Sequence, residues 1–126
     1  MNQYGVIDVG SNSVRMCIYR CAQEVIRVLF TKKETVGLAG YVEDGRLSDA
    51  GIERCIEALA AFQELAAHFD LDSLSVFATA SLRNIQNTDE AVERIQEKTG
   101  LNVDVILGRE EAICDYVGAT QSVGLS

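Results

Sequence analysis

The sequence contains no proline and one histidine, His68, and its four cysteines form no Cys-x-x-Cys pair. With no proline, no low-complexity tract and no internal repeat, nothing marks a linker. The 126 residues therefore read as one domain, or as one lobe of a larger unit. A zinc site needs closer ligand spacing than Cys17, Cys21, Cys55, Cys114 and a lone histidine offer. Cys17 and Cys21 fall on a predicted strand, roughly 13 Å apart at ~3.3 Å per residue, beyond disulfide reach. Reduced, mostly buried thiols are expected. No apolar run approaches the ~18–20 residues of a membrane span. The opening Met-Asn-Gln-Tyr-Gly lacks the basic-then-apolar layout of a secretory signal, which predicts a cytoplasmic protein. Basic side chains are also scarce, 11 against 19 acidic, for a net charge of −8. That balance argues against nucleic-acid or anionic-membrane binding, which needs a basic face. It leaves room for an anionic substrate held locally by backbone amides, one or two arginines and a divalent cation.

Apolar residues make up 48% of the chain, enough to bury a core. Tyr4–Val9 reads as a buried strand, Gly10–Ser13 as a polar turn, and Val14–Tyr19 and Val25–Thr31 as further strands around a break at Cys21–Gln23. Thr35–Leu47 contains Gly37, Gly40 and Gly45 without a period, which predicts a mobile loop. Ser48 is an N-cap candidate, with Asp49 and Glu53 near the positive helix end. Ile52, Ile56, Leu59, Phe62, Ala66 and Phe69 then recur at helical spacing. Ser75–Ala80 reads as a strand parallel to the first. Asn87-Thr-Asp-Glu resembles a capping box, opening a helix through Lys98 that Gly100 closes. Val103–Leu107 predicts a last strand, and Gly108-Arg-Glu-Glu-Ala a final helix that the chain leaves near Gly118–Ser126. The order βββαβαβα is mixed α/β, one five-stranded sheet with helices against it. A meander followed by βαβα units is half of the actin-like ATPase plan, a ribonuclease H-like lobe whose site lies between two such lobes.

Three segments carry residues suited to phosphate chemistry. In Asp8-Val-Gly-Ser-Asn-Ser-Val-Arg15 a buried strand ends in a carboxylate, and a tight turn then presents small polar residues. Such a turn can aim N–H groups at a phosphate, with Ser11, Asn12 and Ser13 adding side-chain donors. Gly10 permits close approach, and Asp8 can hold a hydrated Mg²⁺. By composition alone an ordinary Gly-Ser-Asn turn between strands is the simpler reading. Arg83 follows the Ser75–Ala80 strand, where open α/β sheets place ligands, and its planar fork suits phosphoryl oxygens. A solvated arginine at a helix start is the simpler alternative. Glu110 and Glu111 open the last predicted helix; about 100° apart, at most one faces a crevice, and both can be plain dipole partners. His68, late in an amphipathic helix with no partner motif, reads as structural or solvated.

Together these blocks resemble the exopolyphosphatase/guanosine pentaphosphate phosphatase family. Its Ile-Asp-x-Gly-Ser-Asn-Ser-x-Arg opening corresponds to Ile7–Arg15, and its Ala-Thr-x-x-Leu-Arg-x-x-x-Asn to Ala78, Thr79, Leu82, Arg83 and Asn87. Its Gly-x-Glu-Glu-Ala…Gly corresponds to Gly108, Glu110, Glu111, Ala112 and Gly118. The resemblance implies Mg²⁺-dependent removal of terminal phosphate from inorganic polyphosphate, or of the 5′-phosphate of pppGpp. By that resemblance Glu111 is the general base and Arg83 stabilises charge on the transferred group. Gly10, Ser11, Asn12, Ser13 and Arg15 hold phosphate oxygens, with Asp8 near the metal through water and Glu110 a weaker metal candidate.

The family's second phosphate loop, of the Asp-x-Gly-Gly-Gly-Ser type, has no counterpart before Ser126. Residues 1–126 are therefore expected to form a first lobe, inactive or nearly so alone, whose partner is a second lobe of the same protein. On this reading the surface where that lobe would dock also predicts self-association, as a homodimer. Two alternatives stay open: a kinase of the same actin-like superfamily, and a non-catalytic lobe that binds phosphate, nucleotide or another protein.

Overall fold

A computed structural model describes residues 2–105 of the chain. β1 (Asn2–Val9), β2 (Ser13–Ala22) and β3 (Val25–Thr35) form an antiparallel meander. A 3₁₀ turn, Leu38–Tyr41, leads into a two-stranded hairpin of β4 (Val42–Glu43) and β5 (Arg46–Leu47). Helix α1 (Asp49–Ala66) crosses over to β6 (Ser73–Ala78), which lies parallel to β1. The short helix α2 (Ala80–Arg83) and then α3 (Thr88–Thr99) lead to β7 (Val103–Val105), parallel to β6. The five-stranded order is β3–β2–β1–β6–β7, with β1 central. This is the mixed five-stranded sheet of a ribonuclease H-like, actin-like lobe. The last predicted helix, with Glu110, Glu111 and Cys114, lies outside the described residues, as does the end of the last predicted strand.

Alternation along the strands divides the sheet into two faces. Ile7, Val9, Val14, Met16, Ile18, Val76, Ala78 and Val103 enter one core cluster with Ile52, Cys55, Leu59 and Phe62 of α1 and Ala91 and Ile95 of α3. Both long helices thus pack on the same face. Asp8 and Arg15, opposite each other across β1 and β2, alternate to the other face. The α1 period is as expected, and Ser48 caps it, its Oγ accepting from Gly51 N at 3.2 Å. Gly51 is a close-approach position: an added Cβ would stand 2.6 Å from Leu47 Cδ1 and 2.6 Å from Tyr41 Cβ. The segment before α1 therefore rests directly on the helix backbone.

Two local expectations need correction. The predicted mobile loop at 35–47 is built into the fold: Val36, Leu38 and Leu47 are buried in the core. Its turn, Asp44 at φ 53 and Gly45 at φ 78, is the Asp-Gly pair that tight hairpins favour. Asn87 precedes α3 but its side chain caps no helix N–H; it bonds to the backbone of Leu47 and donates from Nδ2 to Glu90 Oε1 at 3.3 Å. Gly100 closes α3 as expected, at φ 78. Small boundary shifts also occur, since Ser73–Ala78 ends earlier than predicted and Ala80 already belongs to α2.

The β2–β3 turn has two non-glycine residues at positive φ, Gln23 at 49° and Glu24 at 68°. This backbone disfavours a Cβ by about 1–2 kcal/mol per residue. Glu24→Gly is expected to raise stability by about 0.5–1 kcal/mol after the unfolded-state entropy of glycine is subtracted, read as a higher urea midpoint. A lower midpoint would contradict the conformation. Among the described residues, Cys17, Cys21 and Cys55 are free thiols. Burial pushes the Cys55 thiol up to about 12. Its neutral form is favoured in the folded state, so this contribution is intact below the unfolded thiol's pKa of ~8.5 and fades as pH rises toward 12. A maleimide at pH 8 is expected to leave Cys55 unmodified until the protein unfolds; labelling of native Cys55 at a free-thiol rate would refute its burial.

Candidate functional site

The parallel register sets Val9 beside Ala78, so β1 and β6 end at the same edge of the sheet. Beyond β1 the chain reverses at once, with Gly10 N donating to Ser13 O at 2.9 Å. A Cβ on Gly10 would sit 2.9 Å from that same oxygen, which is why glycine suits the position. Ser11 and Asn12 are exposed at the tip. Their carbonyls are engaged by the segment after β3. Asn12 O accepts from Val36 N at 2.9 Å and Gly37 N at 2.8 Å, and Ser11 O accepts from Ala39 N at 3.0 Å. In a trans peptide the C=O and the following N–H point in opposite directions. The N–H groups of Asn12 and Ser13 are thereby directed away from that segment, an arrangement suited to an anion.

Beyond β6, α2 folds back across the end of β1. The Ser81 hydroxyl donates to Val9 O at 2.6 Å in a buried bond. Thr79 O accepts from Leu82 N at 3.2 Å and Arg83 N at 2.9 Å, forming the turn that carries Arg83. Arg83 is half-buried, and its Nε reaches Asn84 Oδ1 only at 3.5 Å, the outer limit of a hydrogen bond. The Thr88 hydroxyl lies 2.5 Å from Leu82 O and 3.0 Å from Ile85 O, closing the other side of the corner. Between the two reversals opens a cleft of about 260 Å³, lined by Ser11, Ala39, Val42, Ala80, Ser81 and Asn84.

The structure thus brings Ser11 of the first block against the Ala80–Asn84 corner of the second. Arg83 flanks this cleft through Asn84 and is not itself part of its lining. Asp8 is half-buried on the neighbouring face, between Arg15 on β2 and Phe77 on β6 in the register. Arg15 is exposed, and Gly10 and Ser13 are partly exposed. Glu110 and Glu111 lie outside the described residues. Among the described residues no cluster of three or more His, Cys, Asp or Glu forms a closed metal set. Mg²⁺ takes one or two carboxylates plus waters and substrate phosphates, so the single carboxylate of Asp8 at the strand end suits it. Sequence reasoning passed over Ser81, Asn84 and the contacts of Asn87. Ser81 lies inside the Ala78–Arg83 block, but only the β1–β6 register makes its hydroxyl a bond to β1.

The sequence profile of the Ppx/GppA phosphatase family matches residues 17–126. Among solved structures, the Aquifex aeolicus Ppx/GppA phosphatase in its type II variant superposes with a TM-score of 0.81 at 29% identity, over 88% of this chain and 37% of that one. A second structure of the Aquifex aeolicus family member gives 0.81 at 30% identity, over 87% and 36%. An exopolyphosphatase from Cytophaga hutchinsonii shares the fold, with a TM-score of 0.78 at 24% identity over 83% and 34%. Fold and end-of-sheet cleft thus define an actin-like lobe. The chain belongs to the Ppx/GppA phosphatase family. It spans little more than a third of the length of the solved structures it matches.

Ser81→Ala removes the donor and leaves the buried Val9 carbonyl without it, a loss of about 1–3 kcal/mol. The urea midpoint is expected to fall accordingly. An unchanged midpoint would show that this bond does not tie the corner to β1.

Proposed function

We propose that this chain acts as the first lobe of a two-lobe, Mg²⁺-dependent phosphohydrolase that removes terminal phosphate from inorganic polyphosphate or the 5′-phosphate of pppGpp. The observation that carries the reading is the meeting of the Gly10–Ser13 turn with the Ala80–Asn84 corner at one end of the sheet, tied by the Ser81–Val9 bond. The backbone N–H groups of the turn, the hydroxyls of Ser11 and Ser13 and the side-chain amide of Asn12 bind terminal phosphate oxygens, and Arg15 adds charge at the rim. Arg83 pairs with the transferred phosphoryl group as charge spreads over its oxygens. Glu111 orients the attacking water and takes its proton, and the second lobe completes the phosphate site. Asp8 would hold Mg²⁺ through water, and the ion would neutralise phosphate charge. Glu110 is a weaker second candidate for that metal. The acidic chain as a whole repels a polyanion, so binding depends on these local groups.

Phosphate release from polyphosphate and from pppGpp tests this reading. The two-lobe protein is expected to be active, and the 126-residue chain alone to have little or no activity. Arg83→Ala is expected to lower kcat by ~10²–10³ and Glu111→Gln by ~10²–10⁴. Hydrolysis by the chain alone, lost in Glu111→Gln, would overturn the need for a second lobe. Phosphoryl transfer from ATP to a sugar would establish a kinase instead, and binding without turnover a non-catalytic lobe.

A further inference from the structure

We propose that Asn87 is a positioning residue for the phosphate turn, acting through the segment Val36–Leu47, which it clamps like a strand partner. The inference rests on the proposed phosphohydrolase reading for its kinetic consequence and on contacts alone for its structural one. Asn87 is a polar side chain buried to 7% exposure. Its Oδ1 accepts from Leu47 N at 2.9 Å and its Nδ2 donates to Leu47 O at 3.0 Å. One amide thus satisfies both backbone groups of a single residue, as a neighbouring strand would. Next to it Gln86 N donates to Gly45 O at 2.7 Å, and Arg46 pairs with Glu90 at 3.2 Å.

The far end of the same segment holds the turn, through Val36 N and Gly37 N on Asn12 O and Ala39 N on Ser11 O. Its middle supplies Ala39 and Val42 as one wall of the cleft, opposite Ala80, Ser81 and Asn84. The adjacent Thr88 pins the Leu82 and Ile85 carbonyls of the corner that carries Arg83. Asn87 and Thr88 therefore set the two cleft walls against each other from one point in the chain. Burial of Val36, Leu38 and Leu47 holds the segment down but is non-directional, so apolar packing alone lets it slide. Two short amide bonds fix its register, and with it where the Ser11 and Asn12 carbonyls, and hence the opposed N–H groups, point.

The test uses Asn87→Ala, which loses both bonds to Leu47 and the Nδ2 bond to Glu90 Oε1, and Asn87→Asp, which keeps the acceptor for Leu47 N but loses the donor to Leu47 O and to Glu90. Gln63→Ala serves as a control, breaking a bond from α1 to Thr99 O away from the cleft. In the two-lobe protein, well below each variant's Tm, Asn87→Ala is expected to lower kcat/KM at least tenfold, more through kcat than KM. Asn87→Asp is expected to fall between Asn87→Ala and the parent, and Gln63→Ala to stay within twofold of the parent. Asn87→Ala within twofold of the parent, or an equal loss in Gln63→Ala, would overturn the kinetic role. Amide hydrogen exchange on the 126-residue chain reads the clamp without any enzymology. Val36, Gly37 and Ala39 are expected to exchange at least tenfold faster in Asn87→Ala and at the parent rate in Gln63→Ala. Unchanged protection there would overturn the clamp itself. A two-lobe parent that hydrolyses neither substrate removes the phosphohydrolase reading, and the exchange result then decides the clamp by itself.

Discussion

The parallel pairing of β1 with β6, Val9 beside Ala78, brings two chain reversals to one end of the sheet. A parallel pair cannot be joined by a tight turn, so the chain returns by way of β2, β3, the 36–47 segment and α1. That crossover covers one sheet face with the α1 stripe and leaves the strand ends open. Ser81 then fastens the second reversal to the last carbonyl of the first, at 2.6 Å. Without this register the turn after β1 and the corner after β6 would be unrelated surface features.

Each part of the cleft edge is fixed by backbone hydrogen bonds more than by large side chains. The Gly10–Ser13 turn is small, and its carbonyls are taken by Val36, Gly37 and Ala39. The 36–47 segment lies against α1 closely enough that Gly51 has no room for a Cβ. On the other flank, Arg94 of α3 reaches Asp49 and Glu53 of α1, both at 2.9 Å, and joins the two helices at their exposed seam. Such surface pairs are worth little individually, and the apolar contacts of Ile52, Leu59, Phe62, Ala91 and Ile95 carry most of that packing. A rigid two-helix layer under a set of hydrogen-bonded turns is a scaffold on which small polar groups can be placed accurately.

Much of the fold was legible in the sequence because its signals are periodic. The alternation of Val14, Met16 and Ile18 and the helical spacing of Ile52, Ile56, Leu59 and Phe62 survive in the core. The Ser48 cap and the Gly100 stop also stand, since each rests on local backbone chemistry. The 35–47 segment was misjudged because three glycines and no period read as mobility, while its order comes from long-range bonds to Ser11, Asn12 and Asn87. Asn87 was misjudged for a related reason. A residue that favours caps was placed at a helix start, but its amide serves a backbone 40 residues away. The phosphate blocks were readable as separate motifs, and the meeting of the first two at one sheet end is a tertiary fact. The family profile starts at residue 17, so the Asp8–Arg15 block stands on its own residues and geometry.

The proposed reading depends most on the Gly10–Ser13 turn binding phosphate through its amides. Titration of the isotope-labelled chain with tripolyphosphate and Mg²⁺, followed by amide chemical shifts, tests that directly. Saturable shifts confined to Gly10–Ser13 and the neighbouring Ala80–Asn84 corner are predicted. Shifts scattered over exposed lysines and arginines, or none at the turn, would contradict it.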